Sequence, residues 1–156
     1  MEKFQIALIE PEIPGNTGSI ARTCVATDTF LTIVGPIPFD ISDKSVRRAG
    51  LDYWPHLRHE YLNSFEEFIE KYKDRRLILT SARIGDCYSD FEYQEGDIIL
   101  MGKETMGIDK EVLHSGDYPV VHLPMWGKTR SLNLANASTV FLYEAHRQLG
   151  FGTPEA

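Results

Sequence analysis

The sequence predicts an α/β fold with a mostly parallel sheet flanked by helices. Short, continuously apolar runs alternate with segments whose apolar residues recur at helical spacing, which is the pattern of buried parallel strands joined by helices. Glycine, proline and small polar residues follow several of these runs, where turns from strand to helix are expected. A chain of 156 residues fits one domain, so we assign residues 1–156 to a single domain.

The individual elements follow from the same patterns in chain order. Strands are predicted over residues 4–9, 30–34, 76–80, 97–101 and 118–123. Helices are predicted from Asn16, near Asp43, over 64–72, over 108–113 and over 132–149. The helix over 64–72 has a capping-box pattern, with Asn63 and Ser64 before it and Glu67 in its first turn. Residues 51–61 are aromatic and fit neither period, so they stay unassigned.

Composition and charge narrow the class of protein. The 16 basic and 23 acidic residues give a net charge of −7, which counts against a large nonspecific nucleic-acid binder but allows a local basic face. Cys24 and Cys87 lie far apart and in no metal-binding spacing, which fits a reducing compartment. The sequence has no signal-peptide pattern and no apolar stretch of membrane-spanning length. We therefore expect a cytoplasmic protein that does not interact with membranes.

Three segments at the ends of predicted strands carry unusual polar residues: 10–22, 102–107 and 124–136. In open α/β sheets, ligands bind outside the carboxyl ends of the strands. The first segment offers Asn16 or Thr17 as a helix cap and Arg22 as a contact for phosphate or ribose. A plain capped helix with a solvated arginine explains the same residues, and this segment alone leaves both interpretations open.

The residues of the other two segments also have both a functional and a purely structural interpretation. Gly102 and Gly107 bracket a charged turn, in which Glu104 is a candidate to bond a ligand or a neighbouring loop. Ser131 and Asn133 stand at the start of the last helix, where free backbone N–H groups can hold a small polar ligand. Tyr143, two turns after Asn136 on the same helix face, fits a half-buried core aromatic by its spacing alone.

Several other kinds of site find no support in the sequence. It contains no GxGxxG dinucleotide fingerprint, no Walker A motif and no GxSxG nucleophile elbow. None of the five histidines pairs with Cys, Asp or Glu at a ligand spacing, so no metal site is expected.

Taken in order, the three segments resemble the motifs of the SPOUT RNA methyltransferases, in particular the YibK-like (TrmL) group of tRNA 2′-O-methyltransferases. The matching strings in the first third of the chain are Glu10-Pro-Glu-Ile-Pro14, Asn16-Thr-Gly18, Ile20-Ala-Arg22 and Arg48-Ala-Gly-Leu-Asp-Tyr53. Those in the remainder are Gly102, Glu104-Thr105, Gly107, Leu123-Pro-Met125, Arg130-Ser-Leu-Asn-Leu134, Asn136, Tyr143-Glu-Ala145 and Arg147-Gln148. The resemblance covers essentially the whole chain, and several motifs in the right order are more specific than any one of them.

This resemblance implies a C-terminal trefoil knot and a homodimer with its active site near the subunit interface. It implies S-adenosylmethionine as cofactor, S-adenosylhomocysteine as product and no metal. The implied cofactor contacts are Thr80, Gly102, Leu123 and Ser131. The implied catalytic set is Arg22, Asn16, Glu104, Asn133 and Tyr143. The implied RNA-binding residues are Arg22, Arg47, Arg48 and Arg130. Thr80 stands where relatives more often carry an apolar residue, so its contact is expected through the backbone.

The implied reaction is 2′-O-methylation of the wobble pyrimidine nucleotide of tRNA, a cytidine or a modified uridine. Three alternatives remain: a non-catalytic knotted module that binds S-adenosylmethionine or RNA, a 2′-O-methyltransferase acting at another RNA position, and a small Rossmann-like nucleotide binder. The intact Asn16, Arg22, Glu104 and Asn133 argue against the first alternative. The missing GxGxxG argues against the third.

Overall fold

The computed structural model describes residues 2–41, 44 and 54–152. Its strands are β1 Phe4–Ile9, β2 Phe30–Val34, β3 His59–Leu62, β4 Leu77–Ser81, β5 Asp86–Cys87, β6 Asp97–Met101 and β7 Val120–His122. Its helices are α1 Pro14–Ala26, α2 Phe65–Lys71, α3 Lys110–Leu113 and α4 Leu134–Gln148, with a 3₁₀ turn at Trp54–His56. The described strands form one parallel sheet in the order β3-β2-β1-β6-β4-β7-β5. The predicted α/β class with a mostly parallel sheet flanked by helices is confirmed.

The centre of the sheet is the neighbouring pair β1 and β6, in which every residue is buried. Because side chains alternate along a strand, each strand supplies residues to both faces of the sheet. Ile6 and Leu8 pack into one core cluster with Phe141 of α4, whereas Ala7 packs into the other with Phe68 of α2. Helices therefore cover both faces, which explains why these strands are continuous apolar runs.

The start of α2 agrees with the sequence, whereas the starts of α1 and α4 differ from it. The capping box of α2 is confirmed, since Ser64 Oγ accepts from the Glu67 N–H at 3.1 Å. In α4, Asn133 Oδ1 accepts from the Asn136 N–H at 3.1 Å, so the helix begins at Leu134, two residues later than predicted. The prediction that Asn16 or Thr17 caps α1 is wrong. The N-cap is Ile13, without a side-chain cap, and Pro14 occupies the first turn, where a missing N–H costs little.

Two strands in the described part of the chain were not predicted, and both lie at edges of the sheet. β3 is mostly exposed and β5 has only two residues. Edge strands of this kind lack the buried apolar run that identifies central strands. The helix predicted near Asp43 falls on a stretch outside the described residues.

A partly buried ion pair joins the amino-terminal ends of two neighbouring strands. Asp97, at the start of β6, accepts from the Arg76 guanidinium at 2.9 and 2.7 Å and from the Gln94 N–H at 2.7 Å. This pairing raises the pKa of Arg76 and holds the starts of β4 and β6 together. No helix of the described chain is both long and apolar enough to cross a membrane.

Candidate functional site

A cavity of about 620 Å³ opens at the carboxyl ends of the strands β4, β6 and β7. Thr80, Met101 and Leu123 bring these three strand ends into its wall. The rest of the wall comes largely from the three polar segments, because parallel strands deliver the loops that follow them to the same edge of the sheet. Its volume lies within the roughly 300–1,000 Å³ that is usual for small-molecule sites.

The four residues expected to contact the cofactor all line this cavity: Thr80, Gly102, Leu123 and Ser131. Thr80 Oγ1 donates to the Leu100 carbonyl at 2.7 Å, so its hydroxyl is engaged within the sheet. Leu123 is buried and offers an apolar surface, whereas Ser131 is exposed at the mouth. The cavity thus combines an apolar floor with a polar rim.

Gly102 stands at a close approach of two backbone segments. A Cβ added there would lie 2.2 Å from the carbonyl carbon of Gly107 and 2.3 Å from the backbone nitrogen of Ile108. The same turn is closed by two hydrogen bonds between Lys103 and Gly107, at 2.9 and 3.3 Å. Gly107 has a φ of +69°, a conformation that glycine adopts without strain. The segment after β6 therefore has the shape of a tight hook that needs both glycines.

Glu104, at the tip of this hook, binds the start of α1. Its carboxylate accepts from the backbone N–H groups of Glu12 at 2.8 Å and Ile13 at 3.1 Å, and from Asn16 Nδ2 at 3.4 Å. A carboxylate at a helix N-terminus is favoured by the partial positive charge there. No side chain of the helix itself caps the start of α1. Glu104 therefore supplies the hydrogen-bond acceptor there.

Glu12, just before α1, makes the reciprocal contact with the segment after β6. The Glu12 carboxylate accepts from the Thr105 N–H at 3.1 Å and from its hydroxyl at 2.7 Å. These hydrogen bonds from Thr105 lower the pKa of Glu12 below its ordinary value. The first and second segments are consequently joined by two glutamates, each bonded to the other's loop.

Asn16 extends the network to the third segment. Its side-chain oxygen accepts from Asn133 Nδ2 at 3.1 Å, and Asn133 in turn caps α4 through Asn136. One series of hydrogen bonds therefore runs from Glu104 through Asn16 and Asn133 to the N-terminus of α4. Three of the five side chains expected to be catalytic are engaged with one another in this series.

The other expected site residues lie in different places. Arg130 lines the cavity, but Arg22 and Tyr143 do not. Both have exposed side chains, on α1 and α4, two helices that pack against each other. Tyr143 is 46% exposed and belongs to neither core cluster, so it is half-buried, as its spacing predicts, but lies outside the core. Arg47 and Arg48 lie outside the described residues.

Sequence reasoning did not single out Glu12, Thr105 or Arg83. The Arg83 guanidinium donates to the Thr129 carbonyl at 3.3 Å and so connects the loop after β4 to the third segment. A carboxylate just before a helix could have pointed to Glu12, but its partner lies 93 positions away in the chain. Among the described residues, no group of His, Cys, Asp and Glu could hold a metal ion.

A family model described as the SpoU rRNA methylase family matches residues 3–143. Two curated relatives bear the name tRNA (cytidine(34)-2'-O)-methyltransferase. The protein of Saccharophagus degradans is 40% identical over 149 residues, which cover 95% of this chain and 97% of the relative. That of Methylovorus glucosotrophus is 39% identical over 149 residues, with the same coverage.

Solved structures show the same relationship. One, described as giving insights into the 2-OH methylation of C/U34 on tRNA, superposes with a TM-score of 0.90 at 40% identity and covers 95% of this chain and 97% of its own. The SpoU methyltransferase AviRb from Streptomyces viridochromogenes, solved in complex with AdoMet, superposes with a TM-score of 0.85 at 31% identity. That match covers 97% of this chain and 63% of AviRb.

Proposed function

Because the chain belongs to the SpoU rRNA methylase family, we propose that it transfers a methyl group from S-adenosylmethionine to the ribose 2′-hydroxyl of the wobble pyrimidine nucleotide of tRNA. The observation that carries this proposal is that the three motif-bearing segments meet around the same cavity. The near full-length relatives named for cytidine 34 support the choice of nucleotide. We further propose that residues 1–156 form one domain whose C-terminal segment is threaded into a trefoil knot, and that the protein is cytoplasmic.

The cavity fits S-adenosylmethionine in size and in chemistry. Leu123 and the other apolar wall residues suit the adenine ring, whereas backbone groups beside Gly102 and the hydroxyl of Ser131 suit its polar atoms. Thr80 holds the strand end next to them. When bound, the cofactor supplies an electrophilic methyl group on a sulfonium and needs no metal. Placement of the ribose 2′-hydroxyl by the residues around the cavity would then supply much of the rate.

In this mechanism the side chains of the network are positioning residues. Glu104, Asn16 and Asn133 bond to one another and hold the two helix starts around the cavity. Arg22 is the candidate catalytic residue. An arginine stays protonated and cannot act as the general base. Arg22 instead holds the substrate phosphate and stabilises the developing alkoxide, while phosphate or water accepts the proton.

A homodimer explains why Arg22 and Tyr143 lie outside the cavity of a single subunit. Val140 and Tyr143 form an exposed stripe on α4, and Ile13 and Leu132 are exposed large apolar residues near the two helix starts. A second copy covering this face buries that apolar surface and brings Arg22 of the partner subunit towards the cavity. Arg22, Arg47, Arg48 and Arg130 of the two copies would then form one basic groove for tRNA.

Incubation of the purified dimer with methyl-labelled S-adenosylmethionine and bulk tRNA, followed by nucleoside mapping, tests this proposal. We expect label on a 2′-O-methylated pyrimidine at the wobble position. The variant Arg22→Ala should still bind cofactor, because Arg22 does not line the cavity, and should lose methyl transfer. A folded, cofactor-bound dimer that incorporates no label would instead be a non-catalytic binding module. Label at another nucleotide would overturn the substrate but not the reaction.

A further inference from the structure

Trp126 is unusually exposed for its size. It lies in the loop between β7 and α4, and 92% of its surface is accessible, more than for any other large apolar side chain in the described part of the chain. Indole is one of the largest apolar groups in proteins, and tryptophan is enriched where a protein meets a partner. Single exposed apolar residues are common, so the exposure acquires meaning only from its surroundings.

The loop that carries Trp126 belongs to the rim of the cavity. Its neighbours Met125 and Arg130 line the cavity, although Trp126 itself does not. The loop is held at Thr129, whose carbonyl accepts from Arg83 and whose hydroxyl donates to the Ser131 carbonyl at 3.1 Å. Trp126 is therefore displayed outside the cavity, next to the mouth through which a substrate ribose has to enter.

Three cations without acidic partners belong to the loop of Trp126 or bind to it. Arg83, Lys128 and Arg130 are exposed, and none of them forms an ion pair with another described residue. In contrast, Arg58 and Arg147, at other surfaces, are paired with carboxylates. In a chain with a net charge of −7, three such cations in the loop of Trp126 or bonded to it make this loop locally electropositive.

We propose that Trp126 stacks on an unpaired base of the substrate RNA, with Arg83, Lys128 and Arg130 holding the phosphates beside that base. Single-stranded nucleic acid is recognised by this combination of a flat aromatic surface and flexible cations. A two-fold contact between copies of this loop is disfavoured because it would bring like charges together. The inference rests on the proposed function, and it adds a substrate contact to the same site.

Fluorescence can observe this contact directly, because the chain has only two tryptophans. In a Trp54→Phe background, Trp126 is the only source of tryptophan emission. We expect saturable quenching when an RNA stem-loop with an unpaired pyrimidine loop is added to the cofactor-bound protein. S-adenosylmethionine alone should leave the emission nearly unchanged, since Trp126 does not line the cavity. Emission that changes with cofactor alone, or with protein concentration in the absence of RNA, would assign Trp126 to the cofactor or to the partner subunit and overturn the inference.

Binding and kinetic measurements on variants provide a second test of the stacking contact. Trp126→Ala should weaken tRNA binding about tenfold and raise KM for tRNA, with the Kd for S-adenosylmethionine unchanged, whereas Trp126→Phe should retain most of the affinity. Lys128→Gln should lower the slope of log Kd against log salt concentration by about one. The matched control is Phe151→Ala, because Phe151 is an exposed aromatic beyond the opposite end of α4.

The two proposals fail in different ways. A wild-type protein that binds tRNA and methylates it, together with a Trp126→Ala variant of equal tRNA affinity, would overturn the stacking contact alone. A wild-type, cofactor-bound protein that binds no tRNA would overturn the proposed function and the stacking contact with it.

Discussion

At the scale of single residues, the candidate site depends on Glu104. Its carboxylate accepts two backbone N–H groups at the start of α1 and the amide of Asn16, which in turn contacts Asn133. A buried or half-buried donor that loses its acceptor costs more than the hydrogen bond contributed, because water cannot fully replace the missing partner. In the proposed mechanism, Glu104 therefore acts through other groups, as a positioning residue.

Replacement of this carboxylate should loosen the cavity without unfolding the protein. Glu104→Ala should lower the free energy of unfolding by about 1 kcal/mol, comparable to the loss of a helix cap. It should also weaken S-adenosylmethionine binding, since the hook after β6 is no longer held against α1. Thermal denaturation and titration calorimetry measure the two effects.

The control for this variant is Glu95→Ala, at an exposed residue for which the structure shows no bonded partner among the described residues. It should change neither stability nor cofactor affinity. Wild-type cofactor affinity in a folded Glu104→Ala variant would show that the series of hydrogen bonds does not shape the cavity.

At the scale of elements, the hook from Met101 to Ile108 is shaped by backbone contact. The close approach at Gly102 involves backbone atoms of Gly107 and Ile108, which cannot move aside as a flexible side chain would. Ile108 is buried in the core cluster beneath α2, so the end of the hook is anchored. Any side chain at Gly102 has to displace the hook itself.

Gly102→Ala is therefore expected to lower the free energy of unfolding by about 1–3 kcal/mol, which is typical of overpacking, and to abolish measurable cofactor binding. Chemical denaturation gives the stability and calorimetry the affinity. The matched control is Gly127→Ala, since an added Cβ at Gly127 meets no atom within 4 Å. Equal stability of the two variants would mean that the hook tolerates displacement.

The elements also show what the sequence could predict. The central strands β1, β2, β4 and β6 were identified because burial on both faces leaves an uninterrupted apolar run. β3 and β5 were missed because edge strands need no such run. Pro14, a residue favoured in the first helical turn, was the available signal for the true start of α1.

The site was predictable only in part, for a related reason. Residue types and strand ends indicated which segments would meet. The sequence did not reveal that Glu104 pairs with the start of α1, since that contact joins residues 92 positions apart. Such pairing depends on β1 and β6 being neighbours, and the strand order is a property of the whole sheet. The family resemblance indicated which residues to expect in the site, but it did not indicate these contacts.

At the scale of the whole molecule, the proposed homodimer gives a reason for the distribution of the functional groups. The cavity holds the proposed cofactor contacts, while Arg22 on α1 and Tyr143 on α4 are exposed and do not line it. If a second copy covers that surface, each active site takes its cavity from one subunit and Arg22 from the other. This arrangement makes activity a property of the dimer, and it can be tested with subunits that carry different defects.

Mixed dimers of Arg22→Ala and Gly102→Ala subunits should recover activity that neither variant has alone. In such a dimer, the intact cavity of the Arg22→Ala subunit meets the intact Arg22 of the other, so one of the two sites is complete. Random exchange of subunits makes about half of the dimers mixed, which predicts about a quarter of the wild-type rate of methyl transfer. If Arg22 served the cavity of its own subunit, both sites of every mixed dimer would carry a defect. Methyl transfer after mixing would then stay at the level of the separate variants, and the shared site would be wrong even if the dimer itself formed.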